Sequence, residues 1–322
     1  IYFIRGKIMR IVVVGPGALG CFLAGKLSNR TEVWLLDHDP LRAVRIVEQG
    51  GIHCEEQDGR WKAKIPVTAR AEDIGIADAV VICTKAYHTR EALLQAQPAI
   101  GKHTLVLSLQ NGMGNSEFIL DMVGAERTAL GVTHHGVIKT AEGRIQHAGE
   151  GMTCIGSLTG KASPQLKTLK KIFSSAGIKT TISENILGIL WSKLVINVGI
   201  NALTALTHLK NGQLLDFEGT QEVMAMALQE AVCVAKRKKI KLPEKDYLKA
   251  VQKVCRQTDI NVSSMLQDIL AGRRTEIDHI NGVIVEEGIK CRVATPANTV
   301  LYSLVKTWEQ SAGQRVVRQE AR

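Results

Sequence analysis

The segment Gly15-Pro16-Gly17-Ala18-Leu19-Gly20 constrains this chain more than any other. It follows the compact apolar run 10–14 and opens a helix-forming stretch, 18–29. Glycines spaced G-x-G-x-x-G at a strand-to-helix turn have separate jobs. The first allows the tight turn, the second lets a pyrophosphate approach the backbone, and the third lets helix pack on strand. The start of the helix offers free N–H groups to the phosphates. Alone the pattern is weak. Its setting strengthens it, because a second apolar strand, 32–36, follows at the right distance and ends in Asp37. An acid at that point hydrogen-bonds the adenosine ribose of a dinucleotide and favours NAD. His38 and Arg42 lie just beyond and could meet a 2′-phosphate instead, so these residues leave NAD and NADP both open. A competing P-loop pattern, Gly20-x4-Gly25-Lys26, fails on two counts: Leu27 stands where Ser or Thr is required, and its glycines fall inside the helix.

The remainder of the first half keeps the α/β rhythm. A helix at 41–49, a hairpin or short strands over 51–67 around Asp58-Gly59, a buried strand at 79–83, a helix near 89–97 and a strand at 104–109 follow in turn. Further strands are expected at 127–138, 143–148 and 152–157. This order predicts a mostly parallel, doubly wound, Rossmann-like sheet with antiparallel additions. Lys85 follows the strand 79–83 and Asn111 follows 104–109. Both therefore sit past the carboxyl ends of parallel strands, on the edge that carries the glycine turn, where open α/β sheets bind their ligands.

From about residue 184 the pattern turns helical: roughly 185–209, 219–238, 244–257, 262–271, 275–289 and 297–311. The expected organisation is a dinucleotide-binding domain over 1–183, with residues 1–8 an upstream extension, and an all-helical domain over 184–322. Between Asn185 and Leu209 only Lys193 carries a formal charge, and Asn197 and Asn201 follow it at i+4 and i+8. Residues so spaced share one face of a helix, while Leu, Ile, Val and Ala fill the other faces. A buried lysine is costly unless paired, so a Lys with two amides on one face suggests a polar pocket built for a ligand. The bland alternative is a set of interhelix hydrogen bonds with the lysine reaching the surface. Glu276 opens the helix expected at 275–289, where an acid is favoured by the helix dipole alone. Ser264 could be a helix cap.

Composition narrows the class. With 45% hydrophobic and 22% charged residues, the 322-residue chain suits a globular protein of two domains. Seven scattered cysteines without a C-x-x-C pair or a close Cys/His cluster argue for free thiols in a reducing compartment and against a metal site. The net charge of +10 includes a cluster from Lys236 to Lys241, which fits the C-terminus of a helix better than a nucleic-acid surface. Aromatics amount to 4%, too few for base-stacking platforms. No run reaches the roughly 18 apolar residues needed to cross a membrane. The stretch 185–209 comes nearest, and its Lys, Asn and Gly content argues against it. His134-His135 and His53 lack a supporting cluster and read as strand and loop residues. Arg315, Arg318 and Arg322 read as a solvated tail.

The ordered set of motifs resembles the ketopantoate reductase (2-dehydropantoate 2-reductase) family. It comprises the G-x-G-A-L-G turn, Thr84-Lys85-Ala86, Gln110-Asn111-Gly112-Met113-Gly114, Trp191-x-Lys193-Leu194-x-x-Asn197-x-x-x-Asn201, Asn211-Gly212, Asn261-x-Ser263-Ser264-Met265 and Thr275-Glu276-Ile277-Asp278. It runs from about Met9 to about residue 310. The resemblance implies a Rossmann domain, a helical C-terminal domain and an active site in the cleft between them. The expected reaction is NADPH-dependent reduction of ketopantoate to (R)-pantoate, in pantothenate and coenzyme A synthesis in the cytoplasm. The family assigns Lys193 as general acid, Glu276 as its partner and a substrate contact, and Asn111, Asn197, Asn201, Ser264 and, more weakly, Asn261 as substrate ligands. Lys85 lies beside cofactor and substrate. The cofactor set is Gly15, Pro16, Gly17, Ala18, Leu19, Gly20, Asp37, Lys85, Asn111 and Glu276. One departure matters: Asp37-His38-Asp39 stands where members often carry an Arg for the 2′-phosphate, so NADH stays open beside NADPH. Two alternatives remain, a paralogue acting on another branched 2-oxo acid and a non-catalytic dinucleotide sensor. The partner expected is a small 2-oxo acid, not nucleic acid or membrane, and the apolar helices of the second domain are compatible with a homodimer.

Overall fold

The computed structural model describes residues 3–4, 7–311 and 314, so Arg315, Arg318 and Arg322 lie outside the described residues. The chain divides into two compact units, Ile1–Ile189 and Leu190–Arg322. The division falls inside a helix, so the change of pattern visible in the sequence precedes it.

The first unit opens with a small antiparallel ribbon, β1 (Phe3–Ile4) and β2 (Lys7–Ile8). Then come β3 (Arg10–Val14), α1 (Ala18–Ser28), β4 (Glu32–Leu36), α2 (Pro40–Glu48), β5 (Ile52–Glu56), β6 (Gly59–Ala63) and β7 (Val67–Thr68). They are followed by β8 (Ala77–Ile82), α3 (Thr89–Ala96), β9 (Ile100–Ser108), α4 (Ser116–Val123) and β10 (Thr128–Thr133). The unit ends with β11 (Gly136–Ala141), β12 (Arg144–Gly149), β13 (Thr153–Ser157), α5 (Pro164–Ser175) and β14 (Thr180–Ile182). The main sheet has the order β14-β13-β10-β9-β8-β3-β4-β7. All its pairings are parallel except β10 with β13.

Strand β3 shows why the sheet is covered on both sides. Its side chains alternate: Ile11 and Val13 join a core with Phe22, Leu23 and Leu27 of α1 and Leu169 and Phe173 of α5. Val12 and Val14 join a second core with Ala92 and Leu93 of α3 and Ile119 and Val123 of α4. A strand buried on both faces reads as an unbroken apolar run, which is what RIVVV is. Helix packing on both faces makes the sheet Rossmann-like and doubly wound.

A second sheet, β11-β12-β5-β6, packs against α1. The single strand expected over 127–138 is two strands, β10 and β11, interrupted at His134-His135, because β10 pairs in the main sheet and β11 in the second. Gly25, part of the rejected P-loop pattern, is explained here: a Cβ would lie 2.4 Å from the Trp61 ring of β6. His135 and His147 also meet in this region, their Nδ1 and Nε2 atoms 3.0 Å apart, with His147 Nδ1 3.4 Å from Glu56. His135 thus has a neighbour in His147, although no group of three or more metal-ligating side chains is found among the described residues. Its partner His147 lies on β12, and only Glu56, which contacts His147, comes from a strand distant in sequence.

The second unit contains most of α6 (Ile186–Thr207), then α7 (Glu218–Arg237), α8 (Tyr247–Gln257), α9 (Ser264–Leu270), α10 (Asn281–Cys291) and α11 (Pro296–Gln310). By length and composition alone, α6 could cross a membrane, which corrects the expectation that no segment reaches that threshold. One lysine and two asparagines do not offset so many aliphatic residues. Its apolar stretch is 67% buried within the protein, as in a core helix. The basic cluster sits where expected, with Lys236 and Arg237 in the last turn of α7 and Lys238 paired with Glu287 of α10.

Candidate active site

In the first unit the glycine turn is built by contacts that only glycine tolerates. Gly15 has φ +98°, and a Cβ there would lie 2.7 Å from Thr84 Cγ2. Its N–H donates to Leu36 O at 2.9 Å, which ties the turn to the end of β4. At Gly20 a Cβ would come within 1.9 Å of Gly15 O, so this glycine permits α1 to close on the turn. Gly17 differs: a Cβ there would meet no atom within 4 Å. That open space lies at the N-terminus of α1, which has no side-chain cap. A helix mouth with exposed N–H groups suits a pyrophosphate, so Gly15, Pro16, Gly17, Ala18, Leu19 and Gly20 fit the dinucleotide.

Asp37 is fully buried, and Arg42 occupies it. The Arg42 Nε donates to Asp37 Oδ2 at 2.6 Å, its Nη2 donates to Oδ1, and the Asp39 N–H donates to the same Oδ1 at 3.1 Å. The Asp37 hydrogen bond, opposed by partial burial, holds the Arg42 guanidinium above its usual pKa range. The carboxylate thus faces its own arginine rather than solvent. Exposed His38 stands beside them, 3.4 Å from Arg42 Nη2.

Gln110 is the residue that sequence reasoning quoted without giving a role. It is buried, and its Nε2 donates to Thr84 O and Thr84 Oγ1, both at 3.1 Å, and to Thr89 Oγ1 at 2.9 Å. Its Oε1 accepts from Ser108 Oγ at 3.0 Å. One amide thus welds the end of β9 to the loop after β8. Half-buried Lys85 and Asn111 flank this weld on the carboxyl edge of the sheet. A buried amide next to a motif asparagine was the available signal.

In the second unit, α6 carries Lys193 and Asn197, both half-buried, and Asn201, which is buried. Continuous helix through all three places them on one face. Burial pushes the Lys193 ammonium down to about pKa 8, while Glu276 pulls it up. The structure therefore brings Lys193 and Glu276 into electrostatic contact, with burial the larger of the two influences on the lysine.

Glu276 is 4% exposed. It does not open a long helix, as the sequence suggested. It precedes a single 3₁₀ turn, Ile277–His279, and α10 starts only at Asn281. The turn is externally anchored, since the Thr275 N–H donates to Glu309 Oε1 at 2.7 Å. Ser264 is not the cap of α9 either. Ser263 caps it, accepting from the Leu266 N–H at 3.1 Å, and its hydroxyl lies 2.7 Å from Thr204 Oγ1 of α6. Ser264, one position on, is exposed. Asn261 is exposed too, and its carbonyl accepts from Asn211 N at 3.0 Å. The adjoining Gly212 is needed for close packing, because a Cβ would overlap Asp259 Oδ1 at 1.6 Å.

This chemistry suits proton donation to an oxygen that gains negative charge, beside amides and a hydroxyl that can orient a polar substrate. Comparison with known proteins identifies the family. The family described as ketopantoate reductase PanE/ApbA matches residues 11–160, and its C-terminal model matches residues 185–309. The 2-dehydropantoate 2-reductase of Halobacterium salinarum is 34% identical over 303 residues, covering 92% of this chain and 98% of that protein. A PanE/ApbA family ketopantoate reductase from Ralstonia eutropha JMP134 superposes with a TM-score of 0.87 at 33% identity, covering 95% of this chain and all of that one. D-mandelate dehydrogenase in complex with NADH and anilino(oxo)acetate matches equally well in fold, with a TM-score of 0.87 at 27% identity, covering 95% of this chain and 99% of that one. With both family models matched in order over most of its length, the chain belongs to the ketopantoate reductase family.

Proposed function

We propose that this protein reduces ketopantoate to (R)-pantoate, with Lys193 as the proton donor. When bound, the reduced nicotinamide supplies the hydride. As the ketone carbon accepts that hydride, its oxygen becomes an alkoxide. The Lys193 ammonium stabilises the developing charge and transfers its proton there. A lysine of pKa about 8 is mostly protonated at neutral pH, yet surrenders a proton far more readily than an exposed lysine. Glu276 keeps enough positive charge on Lys193 for the donor to be ready. Asn111, Asn197, Asn201 and Ser264 hold the substrate carboxylate and hydroxyl, with Asn261 a weaker contributor, and Lys85 adds positive charge at the sheet edge. The observation that carries this reading is the depressed lysine poised against a buried glutamate on a helix face that also bears two asparagines.

The reading favours NADPH. Asp37 is buried and its charge is offset by Arg42, so the pair does not repel a 2′-phosphate as a free carboxylate would, and the exposed His38 beside it offers a ring nitrogen for a hydrogen bond. The protein works in the cytoplasm, where its seven thiols stay reduced, and its product serves pantothenate and coenzyme A synthesis. A steady-state assay with ketopantoate, comparing NADPH and NADH, tests both parts. Ketopantoate-dependent turnover with a higher kcat/KM for NADPH is expected. Absence of turnover overturns the function, and a preference for NADH overturns the coenzyme assignment. The likeness to D-mandelate dehydrogenase favours one second reading, reduction of a different 2-oxo acid. A panel of 2-oxo acids ranked by kcat/KM decides between them.

A further inference from the structure

Glu276 stands at the head of a short segment, a single 3₁₀ turn over Ile277–His279. The turn after it is closed by His279 N–H to Glu276 O at 3.0 Å and Ile280 N–H to Ile277 O at 3.2 Å, with Ile277 N–H donating to Thr275 Oγ1 at 3.2 Å just before it. A carboxylate on so short a turn needs support from elsewhere if it is to stay directed at a lysine. The support comes from α11. On one side of Glu276, Glu309 accepts the Thr275 N–H at 2.7 Å. On the other, Asp278 accepts from Tyr302 Oη at 3.0 Å and from Lys306 Nζ at 3.1 Å. Lys306 also pairs with Glu309 at 3.2 Å, which links the two anchors. Arg274 adds a further contact to Asp278 at 2.9 Å.

Helix α11 is itself fixed at its other end. Glu230 of α7 accepts the N–H groups of Ala297 and Asn298 at 2.8 and 3.0 Å. Asn281 Nδ2, at the start of α10, donates to Asn298 Oδ1 at 3.0 Å. Close approach of α10 to α11 depends on Gly282, where a Cβ would lie 3.1 Å from the Tyr302 ring. The helix therefore behaves as a strut, bolted to α7 at one end and to both flanks of Glu276 at the other.

We propose that Glu309, Tyr302 and Lys306 are positioning residues for Glu276, and through it govern proton donation by Lys193. The proposal rests on the roles assigned to Lys193 and Glu276 above. Packing alone would use apolar side chains; here the links are charged or polar and converge on the two sides of one residue. If the strut slackens, Glu276 withdraws from Lys193, burial acts unopposed, and the lysine loses its proton at lower pH.

The test uses the full chain with Glu309→Ala, Glu309→Gln, Tyr302→Phe and Lys193→Ala, assayed for ketopantoate reduction across pH 6–10. Glu309→Ala should lower kcat roughly 10-fold, leave KM for the coenzyme unchanged and move the basic limb of the kcat profile down by about half a pH unit or more. Glu309→Gln keeps an oxygen for the Thr275 N–H and should recover most of the rate. Tyr302→Phe should move the limb the same way by less, and it decides the matter if Glu309→Ala does not fold. A merely structural strut would lower Tm and leave the limb in place. Unshifted limbs in folded Glu309→Ala and Tyr302→Phe beside an inactive Lys193→Ala overturn the strut alone. Wild-type turnover in Lys193→Ala overturns the proton-donor assignment and the strut with it.

Discussion

Glu276 supports the charge of Lys193 without restoring its ordinary basicity: burial leaves the ammonium at about pKa 8 despite the attraction. On the proposed role, that balance would let Lys193 give up a proton at neutral pH rather than stay a permanent cation. Reduction should therefore slow as pH rises through about 8, while the reverse oxidation of pantoate should speed up over the same range. The two limbs should share one apparent pKa. Lys193→Ala should lose roughly 10²–10⁴-fold in kcat, the usual range for losing a positioned general acid. Pre-steady-state or steady-state kinetics of that variant check the magnitude, and retention of the basic limb in it would refute the assignment.

Glu276→Gln isolates the other half of the balance. The amide keeps the size and a hydrogen-bonding oxygen but loses the charge that raises the Lys193 pKa. The sign follows directly: with only burial acting, the lysine deprotonates at lower pH, so the basic limb of kcat must move below its wild-type position. At neutral pH a larger fraction of enzyme then lacks the donor proton. A pH–rate profile of Glu276→Gln should show both the shift and a lower rate at neutral pH. A limb displaced upward would contradict the electrostatic relationship.

The glycine turn offers a paired prediction in which stability and binding separate. At Gly20 an added methyl meets Gly15 O at 1.9 Å, so Gly20→Ala should cost about 1–3 kcal/mol of stability through overpacking. At Gly17 an added methyl meets nothing within 4 Å, so Gly17→Ala should leave the melting temperature close to wild type. If the open space at the mouth of α1 receives the pyrophosphate, Gly17→Ala should nevertheless weaken dinucleotide binding. Thermal melts beside coenzyme titrations by fluorescence check this. Unchanged coenzyme affinity in Gly17→Ala would remove the glycine turn from the site.

Much of this was legible in the chain because it is local. RIVVV followed by spaced glycines names a strand, a turn and a helix without outside help, and the lone Lys193 stands out because its own helix is otherwise uncharged. What was not legible is long-range. Glu276 was read as the start of a helix because 275–289 has helical composition; the structure instead has a short turn whose flanks contact Glu309 and Lys306 of α11. The cap of α9 was assigned one residue late, since Ser263 and Ser264 are chemically alike and only the contact with Thr204 distinguishes them. Asp37 looked like a ribose ligand, and no local pattern announced that Arg42 would bury it. His135 looked solitary for the same reason: its partner sits on another strand.

That histidine yields the last prediction, one of stability against pH. His135 lies between Phe22, at 5.0 Å between ring centroids, and His147, its hydrogen-bonding partner at 3.0 Å. Burial first, and His147 second, push its pKa down from the usual 6.5 to about 4. The folded protein therefore resists protonation there while the unfolded chain accepts it. Stability is unaffected above the unfolded pKa, falls as pH drops below 6.5, and stops falling on this account near pH 4. The slope contributed by one such group cannot exceed about 1.4 kcal/mol per pH unit. The paired acids Asp278 and Glu287 have lowered pKa values, so their contribution is lost only as pH falls through about 4.5 and below, at the bottom of this window. Replacing His135 with Phe keeps an aromatic ring against Phe22 and removes the titrating group. Urea denaturation at intervals from pH 7 to pH 4 should show a distinctly flatter acid decline in His135→Phe. Parallel declines in variant and wild type would assign the acid sensitivity to other groups.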